Sequence, residues 1–282
     1  DFIIGGGIRQ PAVVLEDSFR FGYEQDIYGA VAAGILTASD TDLDFDAGEL
    51  RIYPDGRGAR PGYVAVDSEI PRQGQSDRGS RKILATILLD GHPLRCTLDT
   101  GSPNTLSLNR SAARRLGLWD DRPFAPNRPS GIGGAGPIAR IVRVNDMALG
   151  DVRLERPLIS LLGNDIGTLD GIVGLSFIRL FNMSIDSRGR KLWIQPSRQK
   201  SPPNRYGRSG LWLDRDGARI TVAAVGNGSP AAAAGIRVGD RIAGEWGQVL
   251  RQISAPAGTS VTLKVERDGQ ARDATFVLAE YL

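Results

Sequence analysis

The tetrapeptide Asp99-Thr100-Gly101-Ser102 is the part of this sequence best equipped for chemistry, because it joins a carboxylate to two hydroxyls and a glycine. The chain has one cysteine, Cys96, and one histidine, His92. With so few thiols and imidazoles, neither a Ser-His-Asp triad nor a His-rich metal site is indicated. Chemistry is left to carboxylates and backbone groups, and a carboxylate can act as a general acid or base.

The residues before this tetrapeptide predict a carboxylate that leaves the end of a buried strand. Residues 83–89 have the composition of a strand, Asp90-Gly91 is a hairpin turn signal, and residues 94–98 form the returning strand. Asp-Thr-Gly alone is weak evidence, because a chain of this length contains one by chance in about one case in twenty. The surrounding pattern must therefore support the interpretation.

Three further elements follow in order along the chain. A short helix at 111–116 is stopped by Gly117, and Gly131-Ile132-Gly133-Gly134 is typical of a hairpin tip. Asp170-Gly171-Ile172-Val173-Gly174 then places two aliphatic residues between glycines. The interpretation of the carboxylate depends on this order of helix, hairpin and apolar strand.

Composition predicts a mainly β protein. The 36 glycines and 16 prolines separate short apolar runs, which favours strands joined by tight turns. No apolar run approaches the ~18 residues that a membrane span needs. The net charge of +3 comes from scattered basic residues. We therefore expect neither a membrane span nor a nucleic-acid partner.

The chain divides into four segments. Residues 197–209 are polar, rich in Pro, Arg and Ser, and without periodicity, so they are predicted to be a linker. A C-terminal domain follows at 210–282. A less distinct boundary, the polar segment 71–80, separates the remainder into two related parts, 1–70 and 71–196.

These two parts contain an internal repeat. Residues 3–53 and 130–196 share a glycine loop, an apolar strand, a glycine with two aliphatic residues, and an Asp-containing strand that turns into a final strand. In this alignment Thr37 matches Gly174, so either residues are missing near Ser39 or the first lobe is degenerate. The second copy also has an upstream portion that the first lacks, so roughly fifty or more residues are expected before Asp1.

The order of these elements resembles one lobe of an aspartic protease of the retropepsin-like clan, in particular the bacterial aspartyl proteases with a C-terminal PDZ domain. The resemblance implies a bilobed acid-protease β fold whose first lobe is represented by its latter half. Asp99 would be the catalytic carboxylate, and Ser102 would be its hydroxyl partner. The side chain of Thr100 would brace the two lobes, and Gly101 would let the backbone approach the carboxylate closely. The implied substrate flap is Gly131, Ile132, Gly133 and Gly134, and the residues expected behind the Asp99 loop are Ile172, Val173 and Gly174.

Such a site needs two carboxyl groups, because one activates water while its protonated partner donates to the substrate carbonyl. The second Asp is expected upstream of Asp1. The segment Asp40-Thr41-Asp42 is no substitute, because it lacks the glycine and matches the later strand at 181–187. A homodimer in which each chain contributes Asp99 is another possibility, and the partial first lobe argues against it.

The C-terminal segment resembles a bacterial PDZ domain. Ser229-Pro230-Ala231 starts a short helix, Ala234-Gly235-Ile236 ends it, and Gly239-Asp240 turns into a strand. By this resemblance residues 248–253 lie on the groove helix, and a peptide C-terminus binds by strand addition. The implied carboxylate-binding loop is Gly210, Leu211, Trp212 and Leu213. Alternatively, the domain packs against the protease and binds nothing. The chain turns so soon after Ala243 that residues are expected to be missing there.

The sequence favours an aspartic endopeptidase that acts on a peptide or protein substrate without a cofactor. The alternative is a catalytically inactive, protease-like adaptor that binds peptides through the PDZ domain. The resemblance also implies a periplasmic or otherwise extracytoplasmic location. Cys96 and Met147 are expected to be core or half-buried strand residues, and His92 an exposed turn residue.

Overall fold

The protein is described by a computed structural model that covers residues 2–4, 8–10, 33–72, 79–131, 134–203 and 205–282, with 2–4 and 8–10 described by their backbone alone. Two of the implied flap residues, Ile132 and Gly133, lie outside the described residues, as does most of the first 32 residues of the predicted first lobe. The chain forms two compact units. The first contains 1–105, 146–155 and 171–202, and the second contains 106–145, 156–170 and 203–282.

The described residues are mainly β, as predicted, and the helices are short. The strands, in chain order, are β1 Phe2–Ile4, β2 Ile8–Gln10, β3 Asp40–Asp44, β4 Glu49–Tyr53, β5 Val64–Ala65, β6 Ser68–Glu69, β7 Leu84–Leu89, β8 His92–Asp99, β9 Leu106–Leu108, β10 Ala125–Asn127, β11 Ser130–Gly131, β12 Gly134–Ala135, β13 Ala139–Arg143, β14 Asp146–Leu149, β15 Val152–Glu155, β16 Leu158–Leu161, β17 Gly171–Gly174, β18 Phe181–Asp186, β19 Lys191–Pro196, β20 Leu211–Asp216, β21 Arg219–Val225, β22 Arg241–Ala243, β23 Ser260–Arg267 and β24 Gln270–Val277. The helices are α1 Gly34–Thr37, α2 Arg110–Arg115, α3 Leu175–Ile178, α4 Pro230–Ala233 and α5 Trp246–Ile253.

In the first unit, one set of strands follows the order β17-β8-β7-β14-β15, with β6 beside β7. The β7–β8 hairpin turns at Asp90 and Gly91, whose φ angles of 48° and 79° suit a two-residue turn with both residues left-handed. This confirms the predicted hairpin. Cys96 in β8 and Met147 in β14 are fully buried, and His92 is exposed, as expected.

A second sheet of the first unit, β4-β3-β18-β19-β5, unites the two copies of the repeat. Strands β3 and β18 pair antiparallel with Asp42 opposite Ser184, and each strand continues through a turn into β4 or β19. Gly48 and Arg190 occupy the same place in the two turns, with φ of 68° and 55°. Both pairs of residues are 142 positions apart. The repeat is confirmed here, and its two copies are related by a local twofold axis through the β3–β18 pair.

The alignment of Thr37 with Gly174 is wrong. Gly34–Thr37 forms helix α1 and reaches β3 after two residues, just as α3 reaches β18 after two residues. The first copy is therefore not shortened before Asp40. The error arose because a short apolar run does not distinguish a helical turn from a strand by its periodicity. The offset of 142 positions instead matches Gly171–Gly174 with residues 29–32, which lie outside the described residues.

The carboxylates of Asp40 and Asp42 are buried and paired with arginines. Asp40 accepts hydrogen bonds from the guanidinium of Arg60 (2.8 Å), the amide of Arg57 (3.1 Å), and the amide and hydroxyl of Ser187 (2.9 Å each). Asp42 accepts one from Nε of Arg57 at 2.6 Å. Burial raises the pKa of Asp40, but these hydrogen bonds outweigh it and lower the pKa below its ordinary value. These carboxylates are held as structural charges, which agrees with their exclusion as a catalytic motif.

We expect Asp40→Asn to lower the free energy of unfolding by about 2 kcal/mol near neutral pH, because the Arg60 side chain, 9% exposed, loses its countercharge. The folded pKa of Asp40 is depressed. Its stabilisation is therefore complete above the ordinary pKa of 3.8 and is lost as the pH falls through the folded value. Urea unfolding between pH 7 and pH 2 should show the stabilities of variant and wild type converging in acid.

The matched control is Glu49→Gln, which breaks an exposed ion pair between Glu49 and Arg51, both in β4, the strand next to β3. It should change the free energy of unfolding by less than about 0.5 kcal/mol. Equal losses in the two variants would contradict a structural role specific to the buried Asp40–Arg60 pair.

In the second unit, strands follow the order β10-β13-β16-β9, and β11 pairs with β12 as a separate hairpin. Helix α2 is followed by Gly117, whose φ of 65° ends the helix as predicted. The C-terminal part of this unit is an antiparallel sheet in the order β20-β21-β22-β23-β24, with α5 contributing Val249 and Ile253 to its core.

Both helices of the C-terminal domain begin with a side-chain cap. The hydroxyl of Ser229 accepts the amide of Ala232, with Pro230 in the first helical position, and the carboxylate of Glu245 accepts two amides of the first turn of α5. Between β22 and α5 the φ of Gly244 is 136°. The short connection after Ala243 is therefore built as a glycine turn that leads straight into a capped helix.

The predicted linker at 197–209 is hydrogen-bonded at both of its ends. In the first unit, the hydroxyl of Ser197 donates to the carbonyl of Arg179 at 2.6 Å. In the second unit, Arg208 pairs with Glu280, and the hydroxyl of Tyr206 accepts two amides of the last residues of the chain. Each end of the segment is thus fixed to one compact unit.

Candidate active site

Asp99 is the last residue of β8, which lies between two strands. On one side β8 pairs antiparallel with β7. On the other it pairs in parallel with β17, with Gly174 beside Asp99 and Val173 beside Leu98. The predicted packing of the apolar-apolar-Gly element behind the carboxylate is confirmed by this register. Support from two sides fixes the position at which the carboxylate leaves the sheet.

The loop after Asp99 is a tight turn around its own carboxylate. The amide of Gly101 donates to Oδ1 of Asp99 at 2.9 Å, and the amide of Ser102 donates to the Asp99 carbonyl at 3.1 Å. A Cβ on Gly101 would lie 3.2 Å from the same Oδ1. A side chain at position 101 would therefore crowd the oxygen that orients the carboxylate, which explains why glycine suits this position.

The segment at the end of β17 holds the same loop from behind. The amide of Leu175 donates to the carbonyl of Ser102 at 2.7 Å, and the amide of Gly174 donates to that of Thr105 at 3.1 Å. A Cβ on Gly174 would lie 2.1 Å from the carbonyl oxygen of Asn104 and 2.6 Å from that of Ser102. Only glycine lets the two backbones approach this closely.

Ser176 also holds the loop, and sequence reasoning missed it. Its hydroxyl donates to the carbonyl of Pro103 at 2.6 Å. The available signal was its place two residues after the apolar-apolar-Gly element, but a serine at the start of a helix has many local uses. The residue positions the loop and is 77 places from Asp99 in the sequence.

The resulting arrangement presents a carboxylate to solvent on a rigid support. Asp99, Thr100 and Gly101 are exposed, and Ser102 is half-buried and joined to the loop through its backbone. An accessible carboxylate can take a proton from water, while a second carboxyl group must supply the proton for a substrate carbonyl. The sequence contains one Asp-Thr-Gly. The described geometry therefore presents one exposed carboxylate.

The predicted flap segment forms a small hairpin in the second unit. Gly131 pairs with Gly134 across the tip, Gly134 has a φ of 87°, and the amide of Gly136 closes the base by donating to the carbonyl of Pro129 at 2.8 Å. The first copy of the repeat also has a two-stranded hairpin at its glycine loop, in which Ile4 pairs with Ile8. Both copies of the repeat thus have a two-stranded antiparallel hairpin at the glycine-rich segment.

The residues expected to bind a carboxylate in the C-terminal domain lie at the start of an edge strand. Gly210 has a φ of 74° and its amide donates to the carbonyl of Gly207, while the amide of Leu211 donates to the hydroxyl of Ser209. Leu211 and Leu213 are buried in the domain core, and the indole of Trp212 donates to Asp214. Two amides of this segment are thus already bonded within the chain.

Two further findings limit the kinds of site that the described residues contain. Within these ranges, no three or more His, Cys, Asp or Glu side chains are grouped so that they could hold a metal ion. The helices in the described part of the chain are all too short or too polar to cross a bilayer.

Residues 85–177 match the aspartyl protease family model, a stretch that runs from β7 through the Asp99 loop to α3. No curated protein sequence matches the chain. Among solved structures, the chain is similar to a retropepsin-like aspartic protease from Rickettsia conorii, at 15% identity over 47% of this chain and 93% of that chain, with a TM-score of 0.33. It is also similar to the HtrA-type protease AlgW with a decapeptide, at 16% identity over 77% of this chain and 78% of that chain, with a TM-score of 0.25.

These TM-scores are too low to support a common fold. The family match, together with the backbone geometry around Asp99, supports an aspartyl protease function for the segment that contains the tetrapeptide.

Proposed function

We propose that this protein is an aspartic endopeptidase in which Asp99 is one of two catalytic carboxylates. The observation that supports this most directly is the parallel register of β8 and β17, which places Gly174 beside Asp99 and leaves the carboxylate exposed at the strand end. By contrast, the structural carboxylate of Asp40 is buried and paired with Arg60.

In this proposal two carboxyl groups share one proton, because two negative charges a few ångströms apart repel each other. The ionised carboxylate takes a proton from a water molecule, whose oxygen attacks the peptide carbonyl carbon. The protonated partner donates to the carbonyl oxygen, and collapse of the tetrahedral intermediate breaks the C–N bond with proton transfer to the leaving amine. No metal or cofactor is required.

Each site residue has a role in this scheme. Asp99 exchanges protons with water, Thr100 braces the site, Gly101 orients the carboxylate, and Ser102 supports it. The hairpin of Gly131, Ile132, Gly133 and Gly134 is assigned as the substrate flap. The glycines suit a segment that must bend when a substrate enters.

The second carboxylate is assigned to the first copy of the repeat rather than to a second molecule. The edge of β18 is already paired with β3, the equivalent strand of the first copy in the same chain. In a homodimer that used two Asp99 residues, the second molecule would need the place beside β18 that β3 occupies.

We also propose that the C-terminal domain is a PDZ module and binds an extended peptide. The position of β20 at the edge of its sheet supports this assignment, because strand addition needs a sheet edge, and the capped helix α5 is the candidate for the helix that lines the groove. The loop Gly210, Leu211, Trp212 and Leu213 is then the end of that groove. An extracytoplasmic location is part of the same proposal.

The test of the protease function is hydrolysis of a peptide library by the purified full-length protein between pH 3 and pH 8, followed by mass spectrometry. Cleavage at internal peptide bonds, inhibited by a peptide that carries a hydroxyl in place of the scissile carbonyl, is the expected result. A protein that cleaves nothing but binds C-terminal peptides would instead be the adaptor.

A further inference from the structure

The strand before the flap hairpin is bonded to the C-terminal domain within the second unit. The amide of Phe124 donates to the carbonyl of Asn227 at 3.2 Å, and the hydroxyl of Tyr281 donates to the carbonyl of Phe124 at 3.1 Å. A Cβ on Gly226 would lie 2.0 Å from that carbonyl oxygen. Both backbone groups of Phe124 are thus used by the C-terminal domain, at a contact too close for any other residue at position 226.

An ion pair makes a second connection at the other end of the same strand. Nη1 and Nη2 of Arg128 donate to Oδ1 and Oδ2 of Asp214 at 2.9 and 3.0 Å, so the pair is bidentate. The indole of Trp212 also donates to Asp214 at 3.2 Å, and the guanidinium of Arg128 lies 5.9 Å from the centre of the Trp212 ring. Asp214 and Trp212 belong to the edge strand β20.

These two connections bracket β10, Ala125–Asn127, immediately before the hairpin. Arg128 is followed by Pro129, whose carbonyl closes the hairpin base, and then by β11 and β12, which are two residues each. So short a hairpin has little stability of its own. Its position must come from whatever fixes its base, and Arg128 is the last side chain before the hairpin that the C-terminal domain holds.

We propose that the C-terminal domain positions the flap, with Asp214 and Arg128 as the positioning residues. The inference rests on the proposed function, since it assigns the hairpin to substrate binding. When the pair is intact, the hairpin base is held in its binding-competent arrangement. When the pair is broken, a smaller fraction of molecules is competent, and the apparent affinity for substrate falls by that fraction while the chemistry of the bound complex is unchanged.

The variant Asp214→Asn is therefore expected to raise KM for a peptide substrate by about two- to fivefold at constant kcat, the range expected for a partly exposed ion pair. Arg128→Lys keeps the charge but loses the bidentate geometry, so its KM should lie between the KM values of wild type and Asp214→Asn. Raising the salt concentration should raise the KM of the wild type toward that of Asp214→Asn, because salt screens the ion pair.

Glu266→Gln is the matched control, because it breaks a similarly exposed pair with Arg241 inside the C-terminal domain. It should leave KM unchanged.

A second readout does not depend on catalysis. In full-length Asp214→Asn, hydrogen exchange should become faster at the amides of 125–131 and 134–136 and stay unchanged in β21 to β24. Faster exchange there in a protein without peptidase activity would support the positioning role and defeat the proposed function. Unchanged exchange and unchanged KM would overturn the positioning role, as would a drop in kcat with a uniform loss of protection across the second unit.

Discussion

Replacing Asp99 by Asn is expected to abolish peptide hydrolysis, with a loss of about 10²- to 10⁴-fold or more in kcat/KM and less than about 0.5 kcal/mol change in the free energy of unfolding. The amide has the shape of the carboxylate, and its oxygen can still accept the Gly101 amide that now lies 2.9 Å away. The side chain is exposed, so no buried charge is left behind. The variant removes the ionisable group and little else.

The measurement is steady-state hydrolysis of a peptide from the library, with thermal or urea unfolding of the same preparation. Asp40→Asn is the informative comparison, since it removes a carboxylate that the fold uses for stability. We expect it to unfold more easily while the chemistry at Asp99 persists. Hydrolysis by Asp99→Asn at nearly the wild-type rate would place the active carboxylate elsewhere and end the assignment.

Mixing the same variant with wild type distinguishes the two sources of the second carboxylate. If one chain carries both carboxylates, adding an equal amount of Asp99→Asn leaves the activity of the wild type unchanged. If each site combines Asp99 from two chains, the activity of the wild type falls to about half after the subunits exchange, because random pairing places half of the wild-type chains with a variant chain. The pairing of β3 with β18 leads us to expect no change.

Local features of this fold could be predicted because their signals lie within a few residues. Asp90-Gly91 specifies the β7–β8 hairpin, Gly117 ends α2, and the Ser229-Pro230 pair starts α4. The position of Asp99 at the end of a strand follows from the same hairpin. Each of these depends on backbone preferences that the residue types themselves determine.

The contacts that hold the site together could not be predicted in this way. Ser176 and Pro103 are 73 residues apart, and Arg128 and Asp214 are 86 apart. A hydroxyl or a guanidinium carries no sequence signal of the partner it will meet. The match of Thr37 with Gly174 failed for a related reason, since four apolar and small residues are compatible with a helical turn as well as with a strand.

The variant Gly174→Ala is expected to lower the free energy of unfolding by about 3 kcal/mol and hydrolysis by about 10²-fold. The added Cβ would lie 2.1 Å from the carbonyl oxygen of Asn104 and 2.6 Å from that of Ser102, and both are backbone atoms that no rotamer change can move. The loop and β17 must separate, which weakens the hydrogen bonds at Gly174 and Leu175 and displaces Asp99. The φ of Gly174 is −102°, so steric overlap rather than backbone strain is the cause.

The matched control for this variant is Gly207→Ala, because its Cβ would meet no heavy atom within 4 Å and its φ is not left-handed. It should change stability by less than about 0.5 kcal/mol and leave hydrolysis unchanged. Stability of the two variants is measured by urea unfolding, and activity by hydrolysis of the same peptide at saturating and limiting concentrations. Because the loop moves, Gly174→Ala should lose kcat even where substrate is saturating, which sets it apart from the KM effect expected at Asp214. If Gly174→Ala behaves like Gly207→Ala, the close approach of β17 to the Asp99 loop does not determine the position of the carboxylate.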